Sequence, residues 1–272
     1  MSGRRRLVVG VIMIFKLIDN HIRRAFSNSA VHYEVLAGLQ NEIGRELVQR
    51  IQNEDNCAHI LDVGMGTGRM TNRLSLFFPD TRVIGIDFSD GMIAAARKKY
   101  DGFKIVQADA AALPFREETF DIVVSNLAYQ WVDDLEQAFR ASYGVLKERG
   151  VFCATLFGGR TLEELFVSFE NSAWNSVPLL KRLAGEDAVF AAARQAGFGD
   201  PEIKTELIKT HFPDMLALLK WLKGIGANRM NRDFYFGRDW LRRANEYYFK
   251  NFNNRWGVQA SFEVIWIYAK KR

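Results

Sequence analysis

The chain has 272 residues, 48% of them hydrophobic, and a formal net charge of +5. This length suits one domain with insertions, and this apolar content is enough to build a sizeable core. Its two cysteines, Cys57 and Cys153, and its four scattered histidines show no disulfide, redox or metal-ligand spacing. We therefore expect no metal site and no disulfide framework, which agrees with a reducing cytoplasm.

The basic residues concentrate at the two ends of the chain. Residues 1–24 carry six Arg or Lys against one acid, and residues 211–258 carry nine against four. An acidic macromolecular partner would explain this distribution, and so would ordinary solvated surface. The sequence contains no basic stripe interleaved with aromatics, which disfavours a nucleic-acid partner.

Residues 1–18 begin with three arginines and continue as an apolar run, the arrangement that opens a signal peptide. No small-residue cleavage site follows the run, and the run is too short to span a bilayer. Met13 offers an alternative start. We therefore expect residues 1–18 to be a disordered or mis-called extension, with neither export nor a membrane segment, and the folded domain to span residues 19–272.

Residues 19–51 predict two helices, the second with an apolar stripe from Val35 to Ile51 at helical spacing. A helical arm before the first strand often folds over the open end of a sheet. Tyr33 and Gln40 could then close a ligand pocket, although Tyr33 could equally be a packing residue.

Three glycines at alternate positions, Gly64, Gly66 and Gly68, connect a short apolar strand to a helix that starts near Arg69. Such glycines allow a sharp turn and let a ligand lie against bare main chain. A dinucleotide fingerprint needs Gly-x-Gly-x-x-Gly, and here the third glycine comes one position early. The spacing disfavours a pyrophosphate and favours the amino-acid part of S-adenosylmethionine (SAM), with Asp62 placed to receive a cationic group.

Three further apolar runs also end in polar side chains. The second strand ends at Asp87, about twenty residues after the glycine loop, where an acid accepts hydrogen bonds from ribose hydroxyls. Asp109 and Ala110 follow the third strand, where they could bind an adenine amino group, and Asn126 ends the fourth. The cofactor-binding candidates are Asp62, Gly64, Gly66, Gly68, Asp87, Met92, Asp109, Ala110 and Asn126.

Short strands that are apolar on both faces alternate with helices, as in a parallel sheet covered on each side. We expect an α/β fold, a Rossmann-like, seven-stranded, mostly parallel sheet with a helical N-terminal arm. Two insertions, at about 158–185 and 211–258, leave the carboxyl ends of strands five and six and should form a cap that selects the substrate. In the first insertion, Thr161 is predicted to cap a helix, with Glu164 three residues on.

These motifs together resemble a class I SAM-dependent methyltransferase over about residues 30–157. Within that superfamily the sequence is similar to the malonyl-acyl-carrier-protein O-methyltransferases of biotin synthesis. The similar segments are Val124–Trp131, Thr155–Gly158, Thr161–Leu165, Leu222–Asn228 and Phe262–Ile265. The sequence departs from the family at Met65, which usually is Cys, at Glu34, which often is Asp, and at the unusual run Asp233–Phe236.

The resemblance implies methyl transfer from SAM to the free carboxylate of a malonyl thioester on an acidic acyl-carrier protein. A carboxylate is already ionised at neutral pH, so no strong general base is needed. The catalytic candidates are Tyr33, Gln130, Trp131 and Arg160, each of which could instead have a purely structural role. The cap cations Lys220, Lys223, Arg229, Arg232, Arg242 and Arg243 are expected to meet the carrier protein, and the enzyme is expected to be a monomer.

Three other functions compete with this interpretation. A methyltransferase of another small carboxylic acid or of a quinone-type metabolite would turn over without a carrier protein. A SAM-fold binding module that has lost its activity would be expected to lack several of the acids and glycines that this chain retains. A nicotinamide oxidoreductase is disfavoured by the glycine spacing.

Overall fold

The structure, a computed structural model, describes residues 38–54, 57–172, 183–224 and 238–272. The strands are β1 His59–Val63, β2 Arg82–Asp87, β3 Lys104–Gln107, β4 Phe120–Asn126, β5 Leu146–Phe157, β6 Glu202–Phe212, β7 Asn253–Asn254 and β8 Gly257–Lys270. The helices in the described ranges are α1 Gly38–Arg50, α2 Arg69–Phe77, α3 Asp90–Lys99, a 3-10 turn Tyr129–Trp131, α4 Leu135–Val145, α5 Glu163–Glu170, α6 Glu186–Gln195, α7 Met215–Gly224 and α8 Arg238–Phe252.

The strands form one sheet in the order β3-β2-β1-β4-β5-β8-β6, with β7 paired to β8. Strands β1 to β5 are parallel to one another, and β8 runs antiparallel to both β5 and β6. Strand β6 therefore points the same way as β5, so the carboxyl ends of β1 to β6 meet at one edge. The Rossmann-like, mostly parallel α/β fold is confirmed.

The strand count differs from the prediction of seven, because β7 adds an eighth. Only two residues long, it pairs Asn253 with Val258 and Asn254 with Gly257 across a tight hairpin. Gly257 has φ +112, and a Cβ there would lie 2.3 Å from the Phe212 carbonyl oxygen. Two exposed asparagines carry neither the length nor the alternation by which a strand is recognised in sequence.

Helices cover both faces of the sheet, because successive strand residues point to opposite sides. In β4, Ile122 and Val124 join one core while Val123 joins the other. The first core also receives Leu47, Leu74, Leu165, Leu218 and Tyr248 from α1, α2, α5, α7 and α8. The second receives Phe139 and Val189 from α4 and α6.

The first insertion is anchored to β8 by a buried carboxylate. Glu164 is 5% exposed and accepts hydrogen bonds from Ser261 N at 3.0 Å, the Ser261 hydroxyl and Gln259 Nε2 at 2.8 Å. The prediction that Thr161 caps this helix is wrong. The helix begins at Glu163 after Leu162, and the Thr161 hydroxyl bonds the main chain of Glu263 instead.

The described ends of the second insertion pack on the sheet through aromatic side chains. Trp221 lies 5.6 Å from both Phe212 and Phe262 between ring centroids, and Trp240 lies 4.8 Å from Phe169. The predicted residues Tyr33, Arg229 and Arg232, and the side chain of Lys223, lie outside the described residues, as does the extension at 1–18.

In the described ranges, no helix combines the length and apolar character needed to cross a bilayer. The same residues contain no cluster of three His, Cys, Asp or Glu side chains arranged to hold a metal ion.

Candidate active site

The turn after β1 needs all three of its glycines, for two different reasons. Gly64, Gly66 and Gly68 have φ of +75, +57 and +80, the left-handed region that glycine adopts at little cost. A Cβ on Gly64 would lie 2.2 Å from the Ala128 Cβ, and one on Gly68 would lie 2.8 Å from the Phe103 ring. A Cβ on Gly66 would meet nothing within 4 Å. Packing thus constrains two glycines, whereas Gly66 presents bare main chain to open space.

The glycine loop is fixed against the end of β2. Gly64 N and Met65 N donate to the Ile86 carbonyl at 2.9 and 2.8 Å. Gly66 N donates to Asp87 Oδ2 at 2.9 Å, and Ser89 N donates to Asp87 Oδ1 at 2.8 Å. Burial raises the pKa of Asp87 to about 6, and these main-chain donors oppose the rise. The Asp87 carboxylate therefore ties the loop to α3 before any ligand is considered.

A cavity of about 290 Å³ opens at the carboxyl edge of β1 to β4. Seven cofactor-binding candidates line it, as does one catalytic candidate: Gly64, Gly66, Asp87, Met92, Asp109, Ala110, Asn126 and Trp131. The wall also includes Leu127 and Ala128, which lie in the segment Val124–Trp131 that carries the family resemblance. Sequence analysis did not single out Phe88, Val132 and Gln137, which have ordinary loop composition and no spacing signal that could have identified them.

A second, smaller cavity of about 50 Å³ shares Gly64, Gly66 and Asn126 with the first and adds Asp62 and Gln40. Asp62 has no exposed surface, and its Oδ2 accepts from the Thr71 hydroxyl at 2.7 Å. Among the described residues, no donor reaches its Oδ1. Burial raises the pKa of Asp62 to about 7; the Thr71 hydrogen bond opposes this and the nearby Asp87 charge adds to it.

Asn126 connects the arm helix α1 to the sheet. Its Nδ2 donates to the Gln40 carbonyl at 2.9 Å, and its Oδ1 accepts from the Thr155 hydroxyl at 2.9 Å. This approach requires Gly44, because a Cβ there would lie 2.8 Å from Asn126 Nδ2. The next residue, Leu127, is held at φ +54 while its N–H donates to the Thr155 carbonyl at 3.0 Å. Residues other than glycine rarely adopt this backbone conformation, and such strain often accompanies functional loops.

Of the predicted site residues that the structure describes, Gly68, Gln130 and Arg160 do not line either cavity. Gly68 supports the turn from behind. Gln130 Oε1 accepts from Phe157 N at 3.3 Å. The Arg160 side chain is 60% exposed, with its Nε 3.5 Å from a Glu163 carboxylate oxygen. Of the four catalytic candidates, the structure brings only Trp131 to the cavity wall, and Tyr33 lies outside the described residues. No described residue of either insertion lines the cavities.

These residues fit SAM. The unpaired Asp62 oxygen suits a cationic ammonium, and Gly66 leaves its main chain open beside it. Asp87 and Asp109 line the larger cavity, where a nucleoside needs hydrogen-bond acceptors. The two adjoining cavities thus match a ligand with a nucleoside at one end and an amino acid at the other.

Comparison with known proteins defines the class. A methyltransferase-domain family model matches residues 61–154. Similar folds are found in YcgJ from Bacillus subtilis (18% identity, TM-score 0.58, 84% of this chain and 99% of that chain) and in Haemonchus contortus phosphoethanolamine N-methyltransferase 2 in complex with SAM (19% identity, TM-score 0.57, 90% and 57%). Together, the fold and the family-model match define a class I SAM-dependent methyltransferase.

The sequence relatives narrow this class to one family. Malonyl-[acyl-carrier protein] O-methyltransferase from Methylococcus capsulatus is 32% identical over 91% of this chain and 92% of its own length. The corresponding protein from Hahella chejuensis is 34% identical over 92% and 90%. The chain therefore belongs to the malonyl-[acyl-carrier protein] O-methyltransferase family.

Proposed function

We propose that this protein transfers a methyl group from SAM to the free carboxylate of a malonyl thioester carried by an acyl-carrier protein, and so primes pimeloyl synthesis for biotin. The observation that carries the proposal is the nearly full-length similarity to enzymes named for this reaction. The two cavities support it, since they retain the groups that a SAM-dependent enzyme needs.

The proposed reaction requires no proton transfer by the protein. SAM supplies a methyl group on a sulfonium, which accepts the electrons of the broken carbon–sulfur bond. The attacking carboxylate is ionised at neutral pH, so the residues of the site need not remove a proton. Their work is to align the reacting atoms and exclude water.

Five residues that line the two cavities have proposed roles in that alignment. Asp87 and Asp109 hold the nucleoside end, where Asp87 is already oriented by Gly66 N and Ser89 N. Asp62 holds the amino-acid end. Trp131 and the strained Leu127 form the wall that faces the substrate and keeps out water.

Tyr33, Gln130 and Arg160 remain candidates for holding the malonyl carboxylate. The Arg160 main chain is anchored by Glu263, whose Oε2 accepts from Arg160 N at 2.9 Å, while the guanidinium stays exposed. Gln130 already accepts a hydrogen bond from Phe157 N. Its Nε2 is the atom that could donate to the malonyl carboxylate, whereas Arg160 would offer a positively charged guanidinium.

The proposed partner is an acidic carrier protein, which the basic residues of the second insertion would attract. In the described part, Arg242 is shared between Asp239 and Glu246, at 3.9 and 2.7 Å, so its charge is largely compensated. Lys220 is exposed on α7. Contacts of exposed charges weaken with salt, since the Debye length falls as ionic strength rises. We further propose that the enzyme acts in the cytoplasm as a monomer.

Methyl transfer from labelled SAM tests this proposal, with malonyl-carrier protein, malonyl-coenzyme A and free malonate compared at low and moderate salt. Label chiefly on the carrier protein, decreasing with salt, is the expected result. Label on free malonate alone, or no label at all with SAM still bound, would keep the enzyme class and overturn the substrate.

A further inference from the structure

Two buried side-chain oxygens, on residues that line the smaller cavity, have no hydrogen-bond partner in the described part of the chain. They are Oδ1 of Asp62, which has no exposed surface, and Oε1 of Gln40, which is 7% exposed. An acceptor buried without a donor costs free energy. Two such acceptors on one cavity indicate a ligand group that donates to both.

Gln40 is held in place independently of its side-chain amide. Its main-chain carbonyl accepts from Asn126 Nδ2 at 2.9 Å, at the carboxyl end of β4. Gly44, one turn further along α1, leaves room for that contact. A change in the Gln40 side chain therefore leaves intact the hydrogen bond that ties α1 to the sheet.

The same cavity also has cations on its wall. Arg69 and Arg73 line it together with Asp62 and Gln40. Burial lowers the pKa of the Arg73 guanidinium, and the positive charges of Arg45 and Arg69 lower it further. A group that carries both an ammonium and a carboxylate would complement this mixture of acceptors and cations.

We propose that Gln40 is a cofactor-binding residue whose Oε1, together with Asp62 Oδ1, accepts hydrogen bonds from the α-ammonium of SAM. The inference rests on the cofactor and not on the acyl substrate. Its consequence is that the arm helix α1 is part of the cofactor site, so that a bound cofactor links α1 to the glycine loop.

Calorimetric binding of S-adenosylhomocysteine and of 5′-methylthioadenosine tests this role, because the second ligand lacks the amino-acid end. Gln40→Met is expected to weaken S-adenosylhomocysteine binding about tenfold and to leave 5′-methylthioadenosine binding unchanged. Gln40→Glu is expected to retain S-adenosylhomocysteine binding at neutral pH, because a carboxylate still accepts hydrogen bonds.

Three results would overturn the proposal. In the first, Gln40→Met binds S-adenosylhomocysteine as the unaltered protein does. In the second, both ligands lose affinity equally, which a purely structural role would produce. In the third, Gln40→Glu loses as much as Gln40→Met, because the amide would then be acting as a donor to the carboxylate.

Gln49→Met is the matched control, since Gln49 is an exposed glutamine on the same helix. It should bind both ligands as the unaltered protein does and leave the unfolding temperature of the cofactor-free protein unchanged. The readout contains no acyl substrate. Failure of the malonyl proposal would therefore leave this test unaffected, and failure here would leave the malonyl proposal standing.

Discussion

Two buried carboxylates show how differently two regions of this molecule use the same group. Glu164, in the first insertion, is surrounded by donors from Gln259 and Ser261. Asp62, at the end of β1, has one donor for one oxygen, and no described residue reaches the other. Satisfied buried carboxylates hold a fold together, whereas an unsatisfied one weakens the fold until a ligand arrives. The contrast separates the anchor of the insertion from the cofactor site.

The largest effect should come from Asp87, a carboxylate that both stabilises the fold and belongs to the cofactor site. We expect Asp87→Ala to weaken S-adenosylhomocysteine binding about 100-fold, because the substitution removes a charged acceptor from the nucleoside end of the site. It should also lower the unfolding temperature, since Gly66 N and Ser89 N lose their acceptor. Calorimetry and thermal unfolding measure the two effects. Asp101→Ala, at an exposed acid, is the control, and unchanged binding in Asp87→Ala would refute the cofactor placement.

The next largest effect should come from Glu164, and on stability alone. Glu164→Gln turns an acceptor oxygen into a donor facing the donors of Ser261 and Gln259. We expect the free energy of unfolding to fall by about 2 kcal/mol in urea, with unchanged S-adenosylhomocysteine binding. Glu163→Gln, at the exposed neighbour, should leave both quantities as they are. A loss of cofactor affinity in Glu164→Gln would break the proposed separation.

Asp62→Asn should stabilise the cofactor-free protein, in contrast to the destabilising Glu164→Gln. An amide oxygen still accepts from Thr71, and the buried charge disappears. We expect the cofactor-free protein to gain about 1 kcal/mol at pH 8, while S-adenosylhomocysteine binds about tenfold more weakly. Urea unfolding and calorimetry on one preparation check both. A variant less stable than the unaltered protein would show that the Asp62 charge supports the fold.

The pH dependence of cofactor binding should be the smallest of these effects. The pKa of Asp62 is raised to about 7, so the folded cofactor-free protein keeps a proton that the unfolded chain has released, and its stability falls as pH rises from about 4 to 7. Binding needs the ionised form, so affinity for S-adenosylhomocysteine should rise about threefold between pH 6.5 and 7.5. Asp62→Asn should abolish that rise. An equal rise in both proteins would assign it to another group.

The sequence predicted what local chemistry determines. Glycines with φ > 0 and acids at strand ends are visible at fixed spacing, so the loop at Gly64 to Gly68 and the candidates Asp62 and Asp87 could be named. The parallel sheet follows from strands that are apolar on both faces. Gly68 shows the limit, because the ring of Phe103 that requires it comes from a loop 35 residues away in the chain.

Features that depend on long-range partners could not be predicted. Thr161 and Glu164 have the spacing of a capping box, but β8 takes both side chains, at Glu263 and Ser261 respectively. Its position on the predicted arm helix makes Gln40 a candidate for closing a ligand pocket, but no motif indicates what its side chain contacts. That becomes visible only when α1 lies beside Asn126 and Gln40 lines the same cavity as Asp62.

The most direct test of this account is the titration of the Asp62 carboxyl carbon by NMR, with and without S-adenosylhomocysteine. We expect a pKa near 7 in the free protein that falls well below this value when the ligand is bound, because the ammonium stabilises the charged form. The signal of Glu164 should not respond to the ligand. An Asp62 pKa that is the same in both states would contradict the assignment of Asp62 to the cofactor.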